Sequence, residues 1–166
     1  IRIIKNSNFK FGMVTADTQL SGKGQYGKKW ISNKGNLFVS FFHEIKNINI
    51  SLSTLTKINC LLVKKTIEKY YKKKIIFKKP NDLLINKKKI SGILQETIFV
   101  SGNKFLIVGI GVNLIKSPKI KNYPTTNLSE LINKPINKIN FENELKLIFV
   151  KNLSRMYKIN NKVNKK

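Results

Sequence analysis

The sequence concentrates residues that can bind an anion in one short stretch between Ser21 and Trp30. Three glycines and three lysines alternate there, in the order Ser21-Gly22-Lys23-Gly24-Gln25-Tyr26-Gly27-Lys28-Lys29-Trp30. A backbone so rich in glycine can fold around an anion and offer N–H groups beside ammonium groups. We therefore expect a phosphate or a carboxylate as ligand, although the same pattern also fits a solvated surface loop. The spacing of a P-loop is absent.

A carboxylate and a separate lysine mark the second stretch. It runs Lys78-Lys79-Pro80-Asn81-Asp82-Leu83 and continues through Lys87-Lys88-Lys89-Ile90-Ser91-Gly92-Ile93-Leu94. Because Pro80 restricts the residue before it to extended geometry and Asn81 and Asp82 favour turns, we expect a sharp corner. Asp82 either serves chemistry at this corner or neutralises nearby lysines. Lys89 differs from Lys87 and Lys88 because it lies at the edge of an apolar strand.

The third stretch, Val108–Asn113, is the end of a strand that contains two glycines. A polar side chain, that of Asn113, follows at its last position. Glycine inside a strand marks the close approach of a ligand or of another backbone. Gly109 and Gly111 therefore indicate such an approach. The alternative is a loosely packed strand that ends in a turn.

Six apolar segments predict the strands that must position these stretches. They are Met13–Asp17, Leu37–His43, Ile75–Phe77, Leu83–Ile85, Ile90–Val100 and Lys104–Leu114. The Lys-rich segment Asn86–Lys88 is predicted to be the turn between the fourth and the fifth.

Apolar residues at helical spacing predict two substantial helices. The first begins after the N-cap Ser51 and carries apolar residues through Tyr70. The second is predicted to have Asn140 as its cap and to run from Phe141 to Met156, with two acids in its first turn, Glu142 and Glu144. Strands clustered in the middle, hairpin connections and two helices predict an α+β domain rather than a doubly wound one.

In order and spacing, these stretches resemble the catalytic domain of biotin protein ligases, which attach biotin to biotin-dependent carboxylases. The family's Gly-(Arg/Lys)-Gly-Arg-x-Gly-x-x-Trp pattern is similar to Gly22–Trp30, and its Lys-x-Pro-Asn-Asp motif is similar to Lys78–Asp82. Its Lys-(Leu/Ile)-x-Gly-Ile-Leu segment resembles Lys89–Leu94, and its Gly-x-Gly-x-Asn ending resembles Gly109–Asn113. The resemblance implies a mixed, largely antiparallel sheet flanked by helices, as in class II synthetase-like catalytic domains.

The resemblance also implies an ATP-dependent, AMP-forming ligase. Biotin and Mg-ATP would give biotinyl-5′-adenylate and pyrophosphate. A lysine amine of the biotin carboxyl carrier domain of acetyl-CoA carboxylase would then attack the mixed anhydride. The implied ligands are thus biotin, ATP and Mg²⁺, with no metal-ligating residue in the chain.

Site residues follow from the resemblance motif by motif. The implied catalytic residues are Lys89, Lys23 and Asp82, the last near the incoming amine. The implied biotin contacts are Gln19, Gly22, Lys23, Gly24, Lys89, Gly92, Leu94 and Gly109. The implied contacts of ATP and the adenylate are Gly24, Gln25, Gly27, Lys28, Trp30, Asn81 and Asn113.

The sequence departs from the family pattern in three respects. A Ser-Thr-Asn segment that contacts the biotin ureido group would precede residue 1, and a small C-terminal barrel would follow the second helix. Gln25 stands where many members carry an arginine that retains the adenylate. We therefore expect a catalytic domain at 1–159 with an incomplete N-terminal edge and a solvated tail at 160–166. We expect no winged-helix domain, no barrel domain and no repressor role.

The basic composition is a weak argument for a nucleic-acid partner. The formal net charge is +25, but 31 of the 33 basic residues are lysine and 2 are arginine. Asparagine and isoleucine are abundant as well, a skew typical of AT-rich genomes. Nucleic-acid readers favour the planar fork of arginine. A basic nucleic-acid-binding module, a lipoate-protein ligase and a catalytically impaired remnant remain as alternatives.

The remaining expectations concern compartment and partners. One cysteine, Cys60, excludes an internal disulfide and fits a cytoplasmic protein. We expect Cys60 to lie in the core and His43 to be a structural histidine inside a strand. No apolar run is long enough to span a bilayer. We expect a monomer or a weak homodimer, with no membrane partner.

Overall fold

The computed structural model describes residues 2–6, 9–45 and 50–163, and from residue 154 onward the helix backbone alone. Its centre is a six-stranded sheet. The strands are β1 (Phe11–Ala16), β2 (Leu37–Glu44), β3 (Ile76–Lys78), β4 (Asp82–Ile85), β5 (Lys88–Val100) and β6 (Asn103–Val112). Their order across the sheet is β1-β2-β6-β5-β4-β3.

Every pair of neighbouring strands in this sheet is antiparallel. The α+β, largely antiparallel architecture predicted from the sequence is therefore confirmed. A parallel bridge between Lys89 and Thr125 joins β5 to a loop outside the named strands.

The tight turn before β5 is one residue shorter than predicted. Asn86 and Lys87 have φ values of 49° and 62°, so both occupy the left-handed region. Two successive left-handed residues form the turn that best matches the twist of a hairpin. Lys88, predicted in the turn, is the first residue of β5.

Within the described residues, four α-helices accompany the sheet: α1 (Arg2–Asn6), α2 (Leu52–Ile67), α3 (Leu128–Ile132) and α4 (Lys138–Val163). The predicted cap of α2 is confirmed, because the Ser51 hydroxyl accepts the Thr54 N–H at 3.1 Å. Tyr70, predicted as the last apolar residue of α2, lies beyond its end.

The predicted start of the last helix is wrong. The Asn137 side chain, and not that of Asn140, accepts a terminal N–H, donated by Asn140 itself at 3.0 Å. Helix α4 therefore begins three residues earlier, and Glu142 and Glu144 lie outside its first turn. The helix backbone continues to Val163, into the predicted tail at 160–166, and residues 164–166 lie outside the described residues.

The main core lies between one face of the sheet and the helices α2 and α4. Alternate residues of each strand point into it, which is why Leu106, Val108 and Ile110 are buried. The Phe41 and Phe149 rings stack there with centroids 4.3 Å apart.

Cys60 lies in this core and His43 lies inside β2, as predicted, and His43 is on the helix-covered side of the sheet. Cys60 is fully buried, and burial raises the pKa of its thiol to about 12. Burial lowers the pKa of His43 to about 4, so its imidazole is neutral at pH 7. Neither side chain is placed to act as a nucleophile or a base in a site on the opposite face of the sheet.

Candidate functional site

The sheet face opposite α2 and α4 carries a cavity of about 910 Å³. Strand register explains the glycine content of this face: Asp82 pairs with Gly92, and Gly92 pairs with Gly111. Two glycines are thus neighbours on adjacent strands and leave a floor without side chains. A carboxylate stands beside this glycine floor, which we define as Gly92 and Gly111.

Trp30 lies directly on the glycine floor. A Cβ atom at Gly92 would be 2.8 Å from Trp30 Cζ3, and one at Gly111 would be 2.5 Å from Trp30 Cε2. Both distances are far below van der Waals contact, so only glycine at these two positions lets the indole reach the sheet. The ring is therefore one wall of the cavity.

The loop before Trp30 folds back on itself through backbone hydrogen bonds. Gly24 N–H donates to Lys28 O at 2.6 Å, and Trp30 N–H donates to Gly22 O at 2.9 Å. Tyr26 and Gly27 have φ values of 55° and 72°, which turn the chain at the loop tip. The predicted anion loop is thus a short closed hairpin at the mouth of the cavity.

Asp82 and Lys89 form an ion pair in the cavity wall. Lys89 Nζ lies 2.7 Å from Asp82 Oδ1, and the two side chains are only 14% and 13% exposed. The ammonium also lies 5.1 Å from the ring centroid of Trp30 and 5.5 Å from that of Tyr123, both within cation–π range. A low-dielectric wall strengthens these interactions relative to water.

The backbone of Lys89 is fixed on both sides by a neighbouring segment. Its N–H donates to Pro124 O at 2.8 Å, and its carbonyl accepts the Thr126 N–H at 2.9 Å. Lys87 and Lys88 are exposed, and Lys87 lies in the turn. Of these three consecutive lysines, Lys89 is the one that the fold holds in the cavity.

Three buried polar atoms of cavity-lining residues have no hydrogen-bond partner within the described residues. Asp82 Oδ1 has the Lys89 ammonium as its ion-pair partner, whereas Trp30 Nε1 and Asn113 Oδ1 have no such partner. The other amide atom of Asn113 donates to Thr126 O at 3.1 Å, which fixes the orientation of the side chain. An unpaired buried group costs roughly 1–3 kcal/mol, so a bound ligand that supplied one acceptor and one donor would recover this loss.

The cavity carries a strong excess of positive charge. Among its described lining residues, only Asp82 and Glu96 are acidic, and Asp82 is already paired with Lys89. The lining lysines are Lys23, Lys28, Lys29, Lys78, Lys79, Lys89 and Lys121. Such a charge balance favours an anionic ligand and raises its association rate.

The structure brings most of the predicted site residues to this one cavity. The lining includes Gln19, Lys23, Gly24, Gln25, Lys28, Trp30, Asn81, Asp82, Lys89, Gly92, Leu94, Gly109 and Asn113. Gly22 and Gly27 are not among the lining residues. Gly22 packs against the Trp30 backbone, where a Cβ would be 2.7 Å from the Trp30 carbonyl oxygen, and Gly27 turns the loop.

Two of these residues have a position that the sequence did not indicate. Trp30, predicted among the nucleotide contacts, lies on Gly92, a predicted biotin contact. The Asn81 amide donates to Ile93 O at 2.6 Å, so this nitrogen holds the corner before β4 against β5.

Sequence reasoning missed Tyr123 and indicated Gly111 only as a point of close approach, without assigning it to the site. The two-residue spacing of Gly111 from Gly109 places both on one face of β6, a signal that could have assigned it. Tyr123 contacts Asp82 across 41 residues of sequence and lies in a segment with no motif. No local pattern points to it.

Within the described parts of the chain, no three His, Cys, Asp or Glu side chains are grouped as a metal site would require. In the same parts, no helix has the length and apolar character needed to cross a membrane.

A family model and individual relatives both match this chain. Residues 6–113 match the model of the biotin/lipoate A/B protein ligase family. The bifunctional ligase/repressor BirA of Escherichia coli is 30% identical over 101 residues, which cover 60% of this chain and 32% of BirA. The Bacillus subtilis BirA is 34% identical over 121 residues, 69% of this chain and 36% of that protein. The chain thus spans about a third of the length of these relatives.

Among solved structures, the biotin protein ligase of Aquifex aeolicus in complex with biotin and ATP superposes with a TM-score of 0.78 at 29% identity. The match covers 93% of this chain and 66% of the Aquifex chain.

Proposed function

The chain belongs to the biotin/lipoate A/B protein ligase family, and on this basis we propose that it activates biotin with ATP and transfers it to a carrier protein. The observation that carries the proposal is the Lys89 ammonium, fixed beside Asp82 over a glycine floor in a cationic cavity. We propose that 1–159 forms the catalytic domain of the ligase.

The binding roles follow the arrangement of the cavity. We propose that biotin lies against the Trp30 indole, which covers the glycine floor, and that the nucleotide lies toward the anion loop. The proposed biotin contacts are Gln19, Gly22, Lys23, Gly24, Lys89, Gly92, Leu94 and Gly109. The proposed nucleotide contacts are Gly24, Gln25, Gly27, Lys28, Trp30, Asn81 and Asn113. The nucleotide substrate is MgATP, so Mg²⁺ enters as part of the substrate.

In the first step, a biotin carboxylate oxygen attacks the α-phosphorus of ATP. The bond from that phosphorus to the bridging oxygen breaks, and pyrophosphate leaves with the bonding electrons. Two anions must approach each other, so their repulsion has to be offset by cations already in place. Lys89 and Lys23 provide these charges.

In the second step, the amine nitrogen of a carrier lysine attacks the carbonyl carbon of biotinyl-5′-adenylate. The bond from that carbon to the phosphate oxygen breaks, AMP leaves, and an amide forms. The amine loses one proton, which we assign to the Asp82 carboxylate. A general base must lie within hydrogen-bond reach of the proton it takes, and Asp82 lines the cavity.

The acceptor and the cellular setting are the finer parts of the proposal. We propose the biotin carboxyl carrier domain of acetyl-CoA carboxylase as acceptor and the cytoplasm as location. A monomer or a weak homodimer and the absence of a nucleic-acid partner remain predictions.

Isothermal titration and pyrophosphate exchange test the proposed function together. Biotin alone should give a binding isotherm, and biotin should be required for exchange of labelled pyrophosphate into ATP. Lipoate is the matched competitor, because the family includes lipoate ligases. Exchange supported by lipoate but not by biotin would favour the lipoate alternative. Binding without exchange would favour an impaired remnant.

The loop Gly22–Lys29 should become protected from proteolysis when biotin and ATP bind. A Gly- and Lys-rich loop has little apolar area to hold it in place without a ligand. Trypsin cleavage after Lys23, Lys28 and Lys29 measures this directly. The exposed segment Lys72–Lys74 serves as control, since its cleavage should not respond to ligand. Equal loop cleavage rates with and without ligand would contradict the prediction.

The Gln25→Arg variant should release biotinyl-adenylate at least about tenfold more slowly than the wild type. An arginine would add a charge-assisted contact to the adenylate phosphate, worth about 1.5 to 3 kcal/mol. Release of labelled adenylate from the isolated complex measures the effect. A Gln25→Met variant, neutral and of similar size, is the control. An unchanged release rate in Gln25→Arg would show that position 25 does not contact the phosphate.

A further inference from the structure

We propose that Tyr123 is a positioning residue for the transfer step, because its phenol orients the Asp82 carboxylate toward the incoming amine. This inference rests on the proposed function, in which Asp82 accepts the proton of the carrier lysine. It adds a residue outside all four motifs of the sequence.

One hydrogen bond and one ion pair restrict the orientation of the Asp82 carboxylate. The Tyr123 hydroxyl donates to Oδ2 at 2.6 Å, and the Lys89 ammonium lies 2.7 Å from Oδ1 as its ion-pair partner. Each carboxylate oxygen therefore has its own partner, and the two partners come from different parts of the chain. Rotation about the terminal torsion of Asp82 would break both contacts.

The direction of the Tyr123 hydrogen bond is fixed by Lys78. The Lys78 ammonium donates to the phenol oxygen at 3.3 Å and lies 4.5 Å from the ring centroid. An ammonium has no lone pair to accept a hydrogen bond, so the phenol hydrogen is free to point at Asp82. Burial, and next the bond to Asp82, raise the pKa of Tyr123 well above its usual value, so it remains a donor at neutral pH.

The segment that carries Tyr123 is also the one that fixes Lys89. Tyr123 N–H donates to Ile120 O at 3.2 Å, and the next residues, Pro124 and Thr126, bond both backbone groups of Lys89. The Thr125 hydroxyl closes the segment by donating to Pro118 O at 2.6 Å. One segment thus sets the positions of both groups that contact Asp82.

The groups that face Asp82 come from three sides of the site. Lys89 of β5 touches it directly, Lys78 of β3 acts through Tyr123, and the Cys60 thiol of α2 interacts with it electrostatically. Cys60 is neutral at pH 7, because its pKa is raised to about 12. The ionised Asp82 is therefore stabilised by one ammonium and one phenol.

The Tyr123 phenol has its largest effect during proton transfer from the carrier amine to Asp82. As the amine nitrogen forms its bond to the carbonyl carbon and AMP leaves, the amine proton passes to an unshared electron pair on the Asp82 carboxylate. Without the phenol, the carboxylate loses the donor on Oδ2 and can turn away from the amine. Its ionised form is also less favoured, since a hydrogen bond donated to a carboxylate stabilises that form.

The test compares Tyr123→Phe with Tyr70→Phe in the two half-reactions. Tyr123→Phe keeps the aromatic ring and removes only the hydroxyl. Tyr70→Phe removes a phenol that also bonds a carboxylate, Glu144, but on the helix side of the sheet. Single-turnover transfer from preformed biotinyl-adenylate to a carrier domain is measured from about pH 6 to about pH 9, and pyrophosphate exchange reports adenylation.

We expect Tyr123→Phe to lower the maximal transfer rate about 10- to 100-fold, the range for a hydrogen bond to a charged group. The acidic limb of the pH profile of its transfer rate should move to higher pH, while the adenylation rate and the KM for the carrier change little. Tyr70→Phe should match the wild type in every readout. In an Asp82→Asn background, Tyr123→Phe should add no further loss, because the phenol acts through that carboxylate.

Each other outcome overturns a stated part of the inference. An active wild type with unchanged transfer in Tyr123→Phe overturns the role of Tyr123. Equal losses in both half-reactions, with a lower Tm and no shift of the pH limb, show a structural role and overturn it as well. A wild type that forms no biotinyl-adenylate overturns the proposed function itself.

Discussion

The Gly111→Val variant should bind biotin about 100-fold more weakly than the wild type, a loss of roughly 2.7 kcal/mol. The indole of Trp30 already occupies the space above Gly111, where even a Cβ atom would be 2.5 Å from Trp30 Cε2. Valine adds two further methyl groups there, so Trp30 must leave the floor and enter the cavity. Overpacking of this kind typically costs 1–3 kcal/mol.

Valine is chosen because it favours strands. A loss of biotin affinity therefore cannot be attributed to poor strand propensity. Gly102→Ala provides the opposite control: a Cβ there meets nothing within 4 Å, but φ is +76°. It should lower the Tm and leave biotin affinity unchanged. Titration of biotin into each folded variant decides the matter. Wild-type affinity in a folded Gly111→Val protein would mean that biotin does not contact the Trp30 indole over this floor.

Apolar segments predicted the sheet best where a strand is buried on both faces. Leu37–His43 is within one residue of the observed β2, since seven of the eight positions of β2 are buried and the sequence there is a nearly continuous apolar run. The start of α4 was missed for a physical reason. Asn137 and Asn140 are both good caps, and only the tertiary position of the chain decides between them. Helix α3 has five residues, too few for a helical period to appear.

In the candidate site too, local motifs predicted some residues, and the positions of others depend on tertiary contacts. Asp82 and Lys89 lie in motifs that are close in the sequence. The Asn86–Lys87 turn between the two motifs brings the two side chains together. The place of Trp30 depends on the register that sets Gly92 beside Gly111, which a single sequence does not specify. Tyr123 reaches Asp82 only because its segment bonds the backbone of Lys89. Contacts of this kind follow from the fold and not from the motif.

The Lys89→Ala variant should lose about 10²- to 10³-fold in biotin-dependent pyrophosphate exchange, the cost of removing one preorganised donor. Adenylation brings the biotin carboxylate within bonding distance of the α-phosphate. Lys89 is placed to offset that repulsion, since Asp82, Trp30 and the segment at Pro124 hold its ammonium and its backbone. A cation that needs no reorganisation during the reaction is worth more than a mobile one.

Lys87→Ala is the matched control, because it removes an identical charge from an exposed turn, two residues before Lys89. It should keep nearly the full exchange rate, since the ammonium of Lys87 is solvated and screened by salt. Lys89→Ala also leaves Asp82 without its ion-pair partner, so the Tm of both variants must be recorded beside the rates. If Lys89→Ala retains more than about a third of the wild-type exchange rate and Lys87→Ala behaves the same, Lys89 does not offset the charge of the transition state.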